Sequence, residues 1–298
     1  MLELQGWLVS SGAGISLEVL VGAPLLLDMV LCGFCDHVYN SGAPLYIYLM
    51  VITAVQRFKP SLKHRLPAAW NKASNWRIAE PICHRTPLPT AVYKALFVLA
   101  VLRGLPRFAG CVLISFLGPT RVTETLKCRR THLLLPMDSL GAIAGRAYVH
   151  FVAPKSARRG GASHQHATIL GTGEITFLTS VFGSLDSSAS LYPLSAATFR
   201  KRWDGLLGLL GIEFGVYTPG SMRGGGAVAA YMADIPISTI LWRMRIQNSK
   251  TLEHYLQEVT AASSLISLKP SARSYISTLS GLYEVILVSN PQHPSGEL

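Results

Sequence analysis

A mainly helical protein with a small β-sheet in its middle is what this sequence predicts, and three observations predict it. Apolar residues recur at helical spacing through most of the 298 residues, of which 49% are hydrophobic and only 14% charged. Short runs rich in β-branched and aromatic residues lie between residues 132 and 170 and read as strands. The 26 Gly and 17 Pro punctuate these segments without a period, which excludes a collagen-like or low-complexity chain. So apolar a composition also excludes disorder. The length suits one large domain or two modest ones, with a substantial core.

The elements follow in order. Residues 1–20 are apolar and Gly-rich and carry no assignment. Asp28 to Val55 reads as two helices joined at Asn40-Ser41-Gly42-Ala43-Pro44, a strong turn sequence. Ala68 to Ala79 reads as a short helix carrying Trp70 and Trp76. Pro81 to Pro89 (PICHRTPLP) holds three prolines in nine residues, a linker composition that marks a domain boundary. Thr90 to Gly104 and Arg107 to Leu117 read as buried helices. His132 to Pro136, Ala147 to Ala153 and Gln165 to Leu170 read as strands. The last two form a hairpin over the basic turn PKSARRGGAS, with Lys155 near its tip. Leu194 to Leu210, Ser221 to Ala233, Ile237 to Arg245 and Ser249 to Ala261 read as helices, and Pro270 to Leu287 as a last one. That last helix packs in cis or reaches a neighbouring protomer.

Neither apolar stretch supplies the roughly 20 residues of a spanning helix. His37 to Gln56 is cut by the turn at 40–44, and Ala95 to Pro119 by Arg103, Pro106 and Arg107. No basic residue precedes an apolar run at the start, so no secretory signal is expected, and no Arg-rich amphipathic segment suggests a transit peptide. The expected location is nuclear if the protein is eukaryotic and cytoplasmic otherwise. Five Cys, an odd number, do not read as a secreted disulfide framework. Cys32 and Cys35 form a Cys-x-x-Cys without a matching second pair and read as buried thiols, and no metal site is expected.

Charge is distributed unevenly. Residues 1–54 contain no Lys or Arg and four acids, Glu3, Glu18, Asp28 and Asp36. Residues 55–131 carry 14 Lys and Arg against two acids, Glu80 and Glu124. That basic region is interleaved with Phe58, Trp70, Trp76 and Tyr93, the electrostatic footprint expected of a polyanion binder. Each cation that meets a phosphate releases counterions, so such binding is salt-dependent.

Several motifs then fall in order. Gly118-Pro119-Thr120-Arg121-Val122-Thr123-Glu124 follows an apolar helix, and the basic hairpin carries Lys155. Thr218-Pro219-Gly220-Ser221-Met222-Arg223 opens a later helix, and Tyr255 stands 32 residues past Arg223. This order resembles the tyrosine recombinase (phage-integrase-like) family, whose members carry Arg-x-x-Glu, a hairpin Lys, His-x-x-Arg, a His or Trp, and a nucleophilic Tyr. His64 to Pro89 also resembles the interdomain region of eukaryotic members.

The resemblance implies a helical core-binding domain over 21–85, a catalytic domain over 90–265 and a C-terminal helix and tail over 266–298. It implies double-stranded DNA as partner, assembly of several protomers on that DNA, and a mobile-element origin. Arg121 and Arg223 would clamp the phosphate bidentately, and Glu124 would brace Arg121 or its neighbours. Tyr255 would attack phosphorus, and Lys155 would protonate the leaving 5′ oxygen. No cofactor is implied, because the covalent phosphotyrosine preserves the energy of the broken bond.

Two positions depart from the pattern. Gly220 stands where the motif has His, and Ile246 stands nine residues before Tyr255, where the family has His or Trp. General acid–base help is worth about 10²–10⁴ in rate. A slowed recombinase and a DNA-binding protein that no longer cleaves both fit, and a membrane-associated helical protein is a third reading. His164 and His166, on the hairpin arm, are the imidazoles that could compensate. Gly224-Gly225-Gly226 lacks the strand–Gly-x-Gly-x-x-Gly–helix setting of a nucleotide site and is read as permitting close helix packing beside Arg223.

Overall fold

The computed structural model describes residues 2–12, 14–81, 85–140, 142–152 and 164–288. The chain divides into two compact units, residues 1–83 and 84–298.

The first unit is helical. Its elements are α1 (Leu2–Ser10), α2 (Leu17–Gly22), α3 (Pro24–Asn40), α4 (Leu45–Phe58) and α5 (Pro67–Ala79). The stretch left unassigned in the sequence forms α1 and α2. Leu4, Leu8, Leu17 and Leu20 join one core with Leu31, Phe34, Tyr48 and Ile52. Pro67 starts α5 without a capping side chain of its own. The cap comes from α3 instead: the buried Asp28 carboxylate accepts Ala68 N–H at 2.9 Å and Ala69 N–H at 2.8 Å. An Asp28→Ala protein is therefore expected to lose about 2 kcal/mol from this unit, read as a lower denaturant midpoint.

The second unit is built around two helices buried on nearly every face, α6 (Thr90–Leu102) and α7 (Pro106–Leu117). Helices that are apolar all round belong in the middle of a core. The next element is the one-turn α8 (Val122–Thr125), and a three-stranded antiparallel sheet follows in the order β1 (Leu133–Leu134), β2 (Ala147–Val152), β3 (His164–Ile169). β2 and β3 pair in register from Ala147↔Ile169 to Val152↔His164. The connection between them, with Lys155, lies outside the described residues. Then come α9 (Thr172–Phe182), α10 (Ala196–Leu209), α11 (Ser221–Met232), α12 (Ile237–Met244), α13 (Ser249–Glu253), α14 (Glu258–Ile266), α15 (Pro270–Gly281) and α16 (Tyr283–Val288). Among the described residues, no helix is long and apolar enough to cross a membrane.

Several expectations need correction. The strand read over His132 to Pro136 shrinks to two residues. Pro136 has no N–H to give a ladder, and it opens a short 3₁₀ turn whose Asp138 carboxylate accepts Leu135 N–H and pairs with Arg130 at 2.6 Å. The single helix read over Ser249 to Ala261 is two, α13 and the start of α14: Leu252 of the first buries with Ala227, Ile240 and Met244, while Leu265, further along the second, packs on the main core. Pro270 to Leu287 is likewise two helices. Both pack in cis, with Ile276, Leu279, Tyr283 and Leu287 in the main core and the Tyr283 hydroxyl 2.7 Å from that of Tyr93.

The polyanion footprint also shrinks. Tyr93 stacks on Phe116 at 4.0 Å and Trp76 is buried, so these two aromatics are core residues. Arg130 bonds Leu133 O and Asp138, and Arg107 bonds the carbonyls of Ser190 and Leu191. Those two cations hold loops rather than face solvent anions.

Candidate phosphodiester site

The loop after α7 is pinned from within. Thr120 N–H donates to Ser115 O, and the buried hydroxyls of Ser115, Thr120 and Thr125 bond one another at 2.6–3.1 Å. Gly118 is needed because a Cβ there would stand 2.8 Å from Ala167 Cβ. This fixed turn presents Arg121 as the residue preceding α8, with its side chain one-third exposed.

One turn on, Glu124 holds two guanidiniums. Its Oε1 accepts from Arg121 at 3.0 Å and its Oε2 from Arg245 at 2.7 Å. Arg245 caps the end of α12 in the left-handed conformation, φ 56, which places a buried cation against Glu124 and over the Phe151 ring. Among the described residues its Nε and Nη1 have no hydrogen-bond partner. Burial pushes its acidity up, lowering its pKa against the pull of Glu124.

Arg223 lies in the first turn of α11 and is 4% exposed. Its Nη1 donates to Pro119 O at 3.0 Å and its Nη2 to Met244 O, tying the Arg121 loop to the end of α12. Its Nε is buried without a hydrogen-bond partner among the described residues. Two of its five N–H donors are committed to carbonyls and the Tyr255 hydroxyl shares those that remain, which leaves donors that a ligand could take. Burial, then the neighbouring Arg121, push this guanidinium down to about 10, while Tyr255 works in the opposite direction. It therefore stays charged at neutral pH.

α11 packs closely enough to deliver Arg223 only because Gly225 and Gly226 lack side chains. A Cβ on Gly226 would overlap the Phe116 carbonyl oxygen, and one on Gly225 would overlap that of Leu88. Tyr255 sits past the end of α13, half-buried, with its ring centroid 5.6 Å from Arg223 Cζ. Arg121, Arg223, Tyr255, His254, Gly220 and Arg85 line one cavity of about 620 Å³, and among the described residues no Asp or Glu lines it. Such a pocket, rimmed by guanidiniums beside a tyrosine hydroxyl, can bind a phosphodiester and offer it an oxygen nucleophile.

The fold has solved counterparts. A lambda integrase dimer bound to a COC′ core site superposes with a TM-score of 0.52 at 11% identity, over 84% of this chain and 75% of that one. The chain has a tyrosine-recombinase-like fold. XerH site-specific recombinase bound to difH substrate, in a pre-cleavage complex, gives a TM-score of 0.49 at 13% identity over 80% and 70% of the two chains. XerA recombinase gives 0.46 at 15% over 93% and 97%. No protein-family model and no curated protein matches the sequence.

Within this tyrosine-recombinase-like fold, Arg121, Arg223 and Tyr255 are brought to one cavity, with Glu124 behind them. Lys155 lies outside the described residues. Gly220 faces the cavity and Ile246 packs on the small cluster around Met244. His166 turns its ring to Tyr148 and Trp242, at 5.6 and 6.3 Å, and neither it nor His164 lines the cavity. Cys32 and Cys35 are free thiols in the first unit. Among the described residues no three metal-ligating side chains come together.

Sequence reasoning missed Arg245 and Arg85. The first was signalled only by its place beside Ile246. The second was hidden in a stretch read as linker.

Proposed function

We propose that the protein binds duplex DNA and breaks and rejoins it through Tyr255. The observation that supports this most is the convergence of Arg121, Arg223 and Tyr255 on one cavity that no described Asp or Glu lines. In the proposed reaction the Tyr255 hydroxyl loses its proton and its oxygen bonds phosphorus. The P–O5′ bond breaks, leaving a 3′-phosphotyrosine, and the released 5′ oxygen takes a proton. Arg121 and Arg223 stabilise the charge that grows on the non-bridging oxygens, typically the largest catalytic contribution. Lys155 is the proposed proton donor. Rejoining is the same exchange run backwards, so no cofactor is needed. Several protomers would act together on the DNA.

A second reading is favoured by Gly220 and Ile246: the protein binds DNA without cutting it. The two separate on a nicked duplex from which the cleaved fragment diffuses away. The wild-type protein is expected to accumulate a denaturant-resistant protein–DNA adduct, and Tyr255→Phe to form none. Adduct that persists in Tyr255→Phe would refute the assignment of the nucleophile. Salt-sensitive DNA binding without any adduct would establish the second reading.

A further inference from the structure

Residue 220 has no side chain, yet the space beside it is filled. A Cβ on Gly220 would overlap Arg85 Nη1 and stand 3.3 Å from Arg85 Cζ and 3.5 Å from Cδ. The backbone there, φ −66 and ψ −20, is ordinary right-handed helix that any residue adopts. What a side chain at 220 would meet is therefore the guanidinium, not backbone strain.

Arg85 is delivered by a segment stitched to α11. Leu88 N–H donates to Ser221 O at 3.0 Å, and Leu88 is 1% exposed. Pro87 rests on Gly224, where a Cβ would stand 3.5 Å from Pro87 Cβ. Two residues upstream, the Arg85 side chain enters the cavity shared by Arg121, Arg223 and Tyr255. Among the described residues no acidic group pairs with it. Glu124 compensates Arg121 from behind, so among the described residues Arg85 and Arg223 are the guanidiniums on this cavity without a carboxylate partner, a setting that favours an anion.

We propose that Arg85 is a third guanidinium of the phosphate site, standing in the volume that a side chain on residue 220 would occupy. This rests on the reading of the cavity as a phosphodiester site. A guanidinium supplies permanent charge and a planar fork of donors, but it does not shuttle protons at neutral pH. Arg85 thus restores the electrostatic part of what Gly220 lacks and leaves the acid–base part to other groups.

The test uses the full chain and a nicked DNA duplex. Affinity is measured across a salt series, and adduct formation is timed in parallel. Arg85→Ala is expected to flatten the slope of log affinity against log salt by about 0.9, the loss of one phosphate contact. It is also expected to slow adduct formation at least tenfold, while Arg85→Lys keeps the slope. Gly220→Ala, whose methyl group displaces the guanidinium, is expected to produce the same loss. It should add nothing in the Arg85→Ala background, the non-additivity of groups in contact. Unchanged slope and rate in Arg85→Ala would overturn the proposal, as would additive losses in the double variant. If the wild type forms no adduct, cleavage at Tyr255 fails as a reading while the slopes still decide Arg85. DNA affinity indifferent to salt in the wild type would overturn both.

Discussion

Glu124→Gln is expected to destabilise the second unit by about 3–5 kcal/mol, the cost of leaving a buried charge without its partner. The substitution keeps the shape and one acceptor, removes the charge and sets an NH2 donor against one of the two guanidiniums. Arg121, one-third exposed, would lose little, because solvent screens it. Arg245 carries the effect. Its side chain is 6% exposed, Glu124 is the acid that pairs with it, and two of its nitrogens already lack partners. Arg223 and Arg121 add repulsion from nearby. The check is a denaturant midpoint, together with the adduct rate, which should fall as Arg121 loses its brace. Wild-type stability in Glu124→Gln would show that Arg245 finds compensation elsewhere.

Gly226→Ala is expected to cost about 3 kcal/mol, at the upper end for overpacking. The added methyl group would overlap a backbone oxygen, that of Phe116, and not a side-chain end that can swing aside. Phe116 belongs to the last turn of α7, which continues into the loop pinned by the Ser115, Thr120 and Thr125 hydroxyls. α11 must therefore back away as a body. Arg223 lies one turn earlier on the same helix and would move with it, so the bond from Nη1 to Pro119 O should break. Gly205→Ala is the control, since a Cβ there meets nothing within 4 Å. Its helix is expected to gain slightly in stability.

Much of this was legible in the sequence, for identifiable reasons. The helices α3, α4, α6 and α7 announce themselves because each is long, apolar and bounded by Pro or Gly. Arg121, Arg223 and Tyr255 could be picked out because motif order survives in one dimension. Arg85 could not. Pro81 to Pro89 has a linker's composition, and only the Leu88–Ser221 bond and the bare face of α11 turn its end into part of the cavity wall. Arg245 was invisible for a similar reason. Its importance comes from a left-handed cap that redirects the chain at the end of α12, and no residue type there advertises it. The break at Tyr255 is not legible because hydropathy shows that Leu252 and, beyond the expected helix, Leu265 turn inward, not that they pack against different clusters.

That last division has a dynamic consequence. The residues around Tyr255 rest on a small cluster of their own, made by Ala227, Ala230, Ile240, Met244 and Leu252. Free energies of local opening scale with the apolar contacts that must separate. The stretch from Ser249 to Gln257 should thus exchange its amide hydrogens well before the amides of α6 and α7. The stretch that carries the proposed nucleophile would then open by itself, and the tyrosine could be withdrawn from the cavity without melting α7 and the pinned loop that presents Arg121.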